Sequence, residues 1–93
     1  MKKYFEWDPA KNDWLKTNRG ISFEEIISCI ELGGLLEITD HPKKSQYRNQ
    51  KIFAVKANNY VYLVPFVENE LKYFLKTIIP NRKATKKYLK GDV

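Results

Sequence analysis

The sequence has few of the residues that build covalent or metal-centred sites. Its 93 residues include one cysteine, Cys29, and one histidine, His41. A single cysteine cannot form an internal disulfide, and one cysteine with one histidine cannot supply the ligands of a typical soft-metal site. We therefore expect no disulfide framework, no metal and no cofactor, and we expect an intracellular, cytoplasmic protein.

Long apolar runs are also missing. No stretch approaches the roughly 18 residues that a membrane span needs, and acidic and aromatic residues follow the basic start at once, so we expect neither a span nor a signal peptide. The chain is too short for two cores, yet 43% of its residues are hydrophobic and 14% are aromatic. We expect a single folded domain over residues 1–93.

The charge is positive and unevenly distributed. The chain has 17 Lys and Arg against 11 Asp and Glu, a net charge of +6. Residues 1–40 carry five cations and eight acids, a net charge of −3, whereas residues 41–93 carry twelve cations and three acids, a net charge of +9. A strongly basic half favours an anionic partner, although solubility alone is another reason for a chain to carry lysine.

Capping residues predict two helices after a short first strand. The aromatic segment Tyr4–Trp7 predicts the strand, and Asp8 followed by proline is typical of a helix N-terminus. This helix should run to about Asn18. A capping box over Ser22–Glu25 predicts a second helix, which two consecutive glycines at 33–34 end.

The rest of the chain changes to a strand pattern. We predict strands over residues 35–39, 51–57, 60–67 and 71–79, with a polar loop over 40–49 that is either a binding element or disordered. A two-residue hairpin is predicted at Asn58-Asn59, and Pro65, which has no amide donor, predicts a bulge or break. A basic helix over 82–90 follows. The fold class is therefore α+β: a small antiparallel meander of about four to five strands, packed by two N-terminal helices, with a short basic C-terminal helix.

The hairpin register predicts a cationic sheet face. If Ala57 lies opposite Tyr60, then Phe53 and Val55 point to the core and Lys56 points away from it. A second two-residue turn would add Lys72, Phe74, Lys76 and Ile78 to the face of Lys56. The other register would instead add the residues that alternate with these along the strand. With the final helix this predicts a cationic groove, whose RNA-binding candidates are Lys56, Lys72, Lys83, Lys86 and Lys87. Lysines on a sheet can also simply keep an exposed face soluble and prevent pairing with the edge of another sheet. This non-functional explanation of the sheet lysines stays open.

Single-stranded RNA is the anionic partner that the pattern favours. Lysine and arginine neutralise phosphates, and exposed aromatic rings stack with unpaired bases. Readout of duplex DNA is less favoured, because the second helix is acidic. Metal-independent cleavage by a 2′-hydroxyl needs cations around the phosphorane, a base and a proton donor. The candidates are Arg82 and Lys83 for charge, His41 or a lysine for proton transfer, and Lys51 or Lys76 for a phosphate contact. Spacing does not assign these roles, and a lone histidine in such a loop is more often simply exposed to solvent.

Three segments resemble the BrnT family of toxins from bacterial type II toxin-antitoxin pairs. They are Phe5–Lys11, Gly20–Glu25 and Arg82–Thr85, and their order and spacing cover nearly the whole chain. The resemblance implies a RelE-like fold, metal-independent ribonuclease activity on mRNA, and a cognate antitoxin that binds the toxin in a hetero-oligomer. It also implies site roles for His41 in an acidic-histidine loop, for Lys51 before a strand, and for Arg82 at the head of the last helix.

Three positions depart from the family pattern. Arg19 stands where the family often has a histidine, Thr77, next to Lys76, where it has an arginine, and Tyr88 where it has a glutamate. Tyr88 is then either a stacking or proton-donating group, which places it among the catalytic candidates, or a packing residue. Two other hypotheses stay open: a non-catalytic RNA-binding module, and a protein-interaction module that buries its aromatic strands against a partner.

Overall fold

The computed structural model describes residues 3–43, 45–46 and 49–89. Within these ranges the chain forms three α-helices and six strands around one core. The elements are β1 (Tyr4–Trp7), α1 (Pro9–Arg19), α2 (Phe23–Cys29), β2 (Leu35–Asp40), β3 (Gln50–Ala57), β4 (Tyr60–Glu68), β5 (Lys72–Leu75), β6 (Ile79–Pro80) and α3 (Arg82–Leu89). The α+β class is confirmed. The predicted end of the last helix at Lys90 lies outside the described residues.

The two N-terminal helices begin where their capping residues predict. The Asp8 carboxylate accepts a hydrogen bond from the amide of Ala10, and Gly20 ends α1 with a φ of 65°. At α2 the Ser22 hydroxyl accepts from the Glu25 amide and the Glu25 carboxylate accepts from the Ser22 amide, both at 3.1 Å. The capping box is therefore confirmed. A π-helical turn over Ile30–Gly34 joins α2 to β2.

The sheet is mixed, which corrects the predicted antiparallel meander. Its strand order is β1-β5-β4-β3-β2, with β6 also paired to β4. The strands from β2 onward pair antiparallel, but β1 lies parallel to β5. The pattern along the chain shows that residues 4–7 form a strand, but it does not show their partner, because that partner is almost 70 residues away.

The central hairpin has the predicted register. Asn58 and Asn59 adopt φ angles of 55° and 61°, the positive values of a two-residue turn that matches the strand twist. Ala57 lies opposite Tyr60, and the pairing continues without a shift to Gln50 and Val67. Side chains on β3 and β4 therefore alternate between the two faces as predicted.

The irregularity expected at Pro65 occurs on the β5 side of β4, whereas the β3–β4 ladder continues past it. The amide of Lys76 donates to the Pro65 carbonyl at 2.8 Å, so the backbone of Pro65 faces the neighbouring strand and has no N–H to offer there. The predicted strand over 71–79 consequently divides into β5 and β6, with one extra residue between the two pairings. This bulge moves Ile78 into the core, where it is fully buried. The prediction that Ile78 shares a face with Lys72 and Phe74 is therefore wrong.

Helices α1 and α2 cover one face of the sheet, which we name the helix face. Their buried side chains pack against those of the central strands in a single cluster: Leu15, Ile21, Phe23, Ile26, Phe53, Val55, Ala57, Val64, Phe66, Leu75 and Ile78. Buried Asn12 joins the two helices, because its amide oxygen accepts from the Phe23 amide and its nitrogen donates to Glu24, both at 2.8 Å. Helix α3 lies on the other face, which we name the α3 face.

Candidate functional site

Helix α3 is fixed to β4 by a short set of hydrogen bonds at its start. The Asn81 amide donates to the carbonyl of Val61 at 3.0 Å, and the Asn81 side chain accepts from the Ala84 amide at 2.7 Å as an N-cap. One turn later the Thr85 hydroxyl accepts from the Val61 amide at 2.9 Å. The helix therefore leaves the sheet with a defined direction, and Ala84, Thr85, Tyr88 and Leu89 are half-buried beneath it.

The outer surface of α3 carries four cations and no acid. Arg82, Lys83, Lys86 and Lys87 are all exposed, and an α-helical rotation of 100° per residue places them on one side of the helix. Two like-charged pairs result at a spacing of four residues, and two cations lie in the first turn, where the helix dipole disfavours them. Both effects destabilise the helix. Lys86 and Lys87 lie in the last turn, where the dipole favours cations, so only Arg82 and Lys83 are disfavoured by their place in the helix.

A groove of about 270 Å³ lies between α3 and the sheet. We name it the α3 groove. Ala54 and Leu63 form an apolar floor, β2 contributes Glu37 and Thr39, and the helix side contributes Asn81, Lys83, Ala84, Lys87 and Tyr88. The Lys87 ammonium lies 5.1 Å from the centre of the Tyr88 ring, so charge and aromatic surface are adjacent.

The predicted residues of α3 divide between the groove and the outer surface. Lys83, Lys87 and Tyr88 line the α3 groove. Arg82 and Lys86 are exposed and are not among its lining residues. The half-burial of Tyr88 agrees with a packing role, and its place in the groove wall leaves its ring available to a ligand.

The structure does not bring Lys56 and Lys72 into the same groove, although the register places both on the α3 face. Lys56 lies opposite Val61, whereas Lys72 lies beside Asn69 in the turn after β4. This separation of eight residues corresponds to about 26 Å along the strand, and the eight residues of α3 span only about 12 Å. Lys72 also forms an ion pair with Glu6 at 2.7 Å.

The remaining lysine of the predicted sheet set, Lys76, lies in the bulge between β5 and β6. Its ammonium is 5.5 Å from the centre of the Phe74 ring. It is exposed and does not line the α3 groove.

His41 and Lys51 lie at the open end of the β2–β3 pair, on different faces. The His41 amide donates to the Gln50 carbonyl at 3.3 Å, which continues the β2–β3 ladder by one residue. Alternation then places His41 on the α3 face, two residues or about 7 Å beyond Thr39 of the groove. Its Nδ1 accepts from the Lys43 amide at 3.0 Å. Lys51 lies opposite Phe66 and so belongs to the helix face, away from the groove.

The charged groove residue that sequence reasoning missed is Glu37. Simple alternation gives residues 35 and 37 the same face, but Leu35 lies opposite Val55 and Glu37 lies opposite Ala54. Leu36 is the extra residue of a bulge, which turns Glu37 to the α3 face while Leu35 packs against the core. No short-range signal in the sequence shows this shift.

Neither a metal cluster nor a membrane-spanning helix occurs in the described ranges. No group of three or more His, Cys, Asp or Glu side chains is close enough to hold an ion there. Among the same residues, no helix is long and apolar enough to cross a bilayer.

A scan against protein-family models, a search of curated proteins and a search of solved structures found nothing that matches this chain. The resemblance to BrnT toxins and to the RelE-like fold therefore stays a prediction from the sequence.

Proposed function

We propose that the chain binds single-stranded RNA through α3 and the α3 groove. The observation that carries this proposal is the arrangement of four exposed cations on one side of α3, with no acid on the helix and an apolar groove beside it. Phosphates would lie against the lysines, and a base would enter the groove next to Tyr88.

In this proposal the protein is the toxin of a type II toxin-antitoxin pair and cleaves RNA without a metal ion. The 2′-oxygen attacks the adjacent phosphorus and the bond to the 5′-oxygen breaks, which leaves a cyclic phosphate and a 5′-hydroxyl. Lys83 and Lys87 in the groove wall stabilise the added negative charge, and Arg82 on the outer surface of α3 holds the strand through a neighbouring phosphate. The 2′-proton goes to a lysine or to His41, which can take it only by giving up the bond that its Nδ1 accepts from the Lys43 amide. Tyr88 donates the proton to the leaving oxygen.

The partner implied by the resemblance is a cognate antitoxin acting in the cytoplasm. A segment with acidic side chains would neutralise α3, and apolar side chains would fill the groove, in a hetero-oligomer. The antitoxin would bind the same surface as RNA, so in the proposal antitoxin binding and RNA binding exclude each other.

The experiment incubates labelled single-stranded RNA with the protein in excess chelator. We expect fragments ending in cyclic phosphate from the wild type and none from Arg82→Ala, whose melting temperature should stay near wild type because Arg82 is exposed. Lys16→Ala, which removes an exposed cation from α1, is the matched control and should cut normally. Equal fragmentation by Arg82→Ala would remove Arg82 from the mechanism, and cleavage only with added metal would refute the metal-independent step.

A second candidate is a non-catalytic RNA-binding or protein-interaction module. The position of Lys51 on the helix face favours it, because this residue cannot act beside Lys83 and Lys87 on one phosphate. RNA binding that weakens with salt, without any fragments, would identify the RNA-binding module. Binding to a protein partner that is insensitive to salt would instead identify an apolar interaction surface.

A further inference from the structure

The α3 groove carries charges of both signs that form no ion pair with one another. Glu37 on β2 and Lys83 and Lys87 on α3 line it, yet no ion pair joins these side chains. The ion pairs of Lys3 with Glu68 and of Lys72 with Glu6 lie elsewhere. Opposite charges held apart across a groove suit a ligand that meets both of them. Resting on the proposed RNA binding, we propose that this groove recognises a guanine base and that Glu37 reads it.

Glu37 has no role in binding phosphate. A carboxylate in the wall of a phosphate-binding groove repels the backbone of RNA and weakens non-specific binding. Its presence is explained if the ligand also carries hydrogen-bond donors, because a carboxylate only accepts. A nucleotide meets both requirements, since its phosphate lies against Lys83 and Lys87 while the edge of its base lies against Glu37.

The backbone places Glu37 in the groove by a specific irregularity. The bulge at Leu36 turns Glu37 to the α3 face, and bulges commonly re-aim a side chain next to a functional site. The residue opposite Glu37 on β3 is Ala54, whose small side chain leaves space in the groove above it. A larger side chain at that position would fill the space under a base.

Guanine is the base that a carboxylate recognises best. Its Watson–Crick edge presents two adjacent donors, N1–H and the N2 amino group, so both carboxylate oxygens can accept. Adenine and cytosine present an amino donor beside a ring acceptor, and uracil presents one N–H between two carbonyls. Each of those edges turns at least one acceptor toward the carboxylate, which repels it. An unpaired base in single-stranded RNA exposes this edge, whereas a paired base does not.

The size and lining of the groove agree with a single base. Its volume of about 270 Å³ lies just below the roughly 300–1,000 Å³ of pockets for drug-sized ligands, and a single base is smaller than such ligands. Ala54 and Leu63 offer an apolar surface to one face of the ring, and Tyr88 offers an aromatic wall. Asn81 is committed to capping α3, so Glu37 and Thr39 remain to read the edge of the base.

The test measures the affinity of labelled ten-nucleotide RNAs that differ at one central position. The strands are oligo(A) and the same strand with a central G, C or U. We expect the central G to raise the affinity of the wild type roughly tenfold, the lower part of the range for one good bidentate contact. In Glu37→Gln this preference should disappear, while affinity for oligo(A) stays equal or rises because a repulsive charge is gone. Glu31→Gln, which removes an exposed acid from the π-helical turn, is the matched control and should keep the preference.

A second variant tests the floor of the groove. Ala54→Leu should also abolish the preference for G, and its weaker remaining binding should stay salt-sensitive because the cations of α3 are unchanged. A melting curve checks that the variant folds, since Ala54 is buried. A preference for G that survives both variants would overturn the assignment. Equal, salt-sensitive affinity of the wild type for all four strands would overturn it too, but would leave the proposed RNA binding intact. No binding to any strand would overturn both.

Discussion

Removing two groove lysines should halve the salt dependence of RNA binding. Each phosphate that a cation neutralises on a single strand releases counterions and contributes about −0.7 to the slope of log K against log salt. If the four cations of α3 each contact one phosphate, the slope is about −2.8. The affinity of the wild type should then fall about 50-fold between 50 and 200 mM salt.

The double variant Lys83→Ala, Lys87→Ala leaves Arg82 and Lys86 on the helix. Its slope should be about −1.4, which corresponds to a loss of only about sevenfold over the same salt range. Fluorescence anisotropy with a labelled ten-nucleotide RNA, measured at several KCl concentrations, gives both slopes. A melting curve checks that each variant is folded, as we expect because both lysines are exposed.

The control removes the same charge from the other side of the sheet. Lys11 and Lys16 lie on α1, which packs against the helix face. The variant Lys11→Ala, Lys16→Ala should keep a slope near that of the wild type, because its charges are far from the α3 groove. If both double variants lowered the slope equally, RNA would be responding to net charge alone. A wild-type slope near zero would refute phosphate binding altogether.

Four further substitutions test the fold that holds the site. Gly34→Ala should cost about 1–3 kcal/mol in urea denaturation, because a Cβ would lie 2.8 Å from two backbone carbonyl oxygens. Gly33→Ala has open space but a φ of 97°, so strain alone should cost about 1–2 kcal/mol. Asn12→Ala should cost about 1–3 kcal/mol, because it leaves a buried amide without an acceptor. The hydrogen bond from Asn12 also lowers the pKa of Glu24 below its ordinary value of 4.5. This contribution to stability is complete above pH 4.5 and is lost as the pH falls through the lower pKa of the folded state, so melts from pH 7 to 3 should show a smaller acid loss in Asn12→Ala. Thr85→Val should cost about 1 kcal/mol and speed hydrogen exchange at the β4 amide that Thr85 accepts from; unchanged exchange would contradict this link.

The parts of the fold that the sequence predicted are those decided by groups close together in the chain. The capping box at Ser22 closes over four residues, and the hairpin at Asn58-Asn59 over two central residues. Each of these motifs combines a backbone conformation with side chains that favour it, so the pattern contains the whole interaction. The irregularity at Pro65 belongs to the same class, since a missing amide acts at its own position.

The parts that the sequence could not predict depend on partners that are far apart in the chain. The parallel pairing of β1 with β5 joins Tyr4 to Lys72, and no local pattern identifies that partner. The face of Ile78 depends on how the chain recovers after the bulge opposite Pro65. A shift of one residue moves a side chain to the other face of a sheet. The single extra residue of this bulge therefore places Ile78 on the helix face instead of the α3 face.

The two bulges together explain why the α3 groove forms where it does. The bulge before β6 buries Ile78 on the helix face, and Asn81 then bonds to Val61 and caps α3 over the opposite face. The bulge at Leu36 independently turns Glu37 to that same face. Cations from the last helix and a carboxylate from β2 therefore meet over the small residue Ala54 only because the ladder is irregular twice. A regular sheet built from this pattern would place Glu37 opposite Phe53 on the helix face, so the groove would lack its carboxylate.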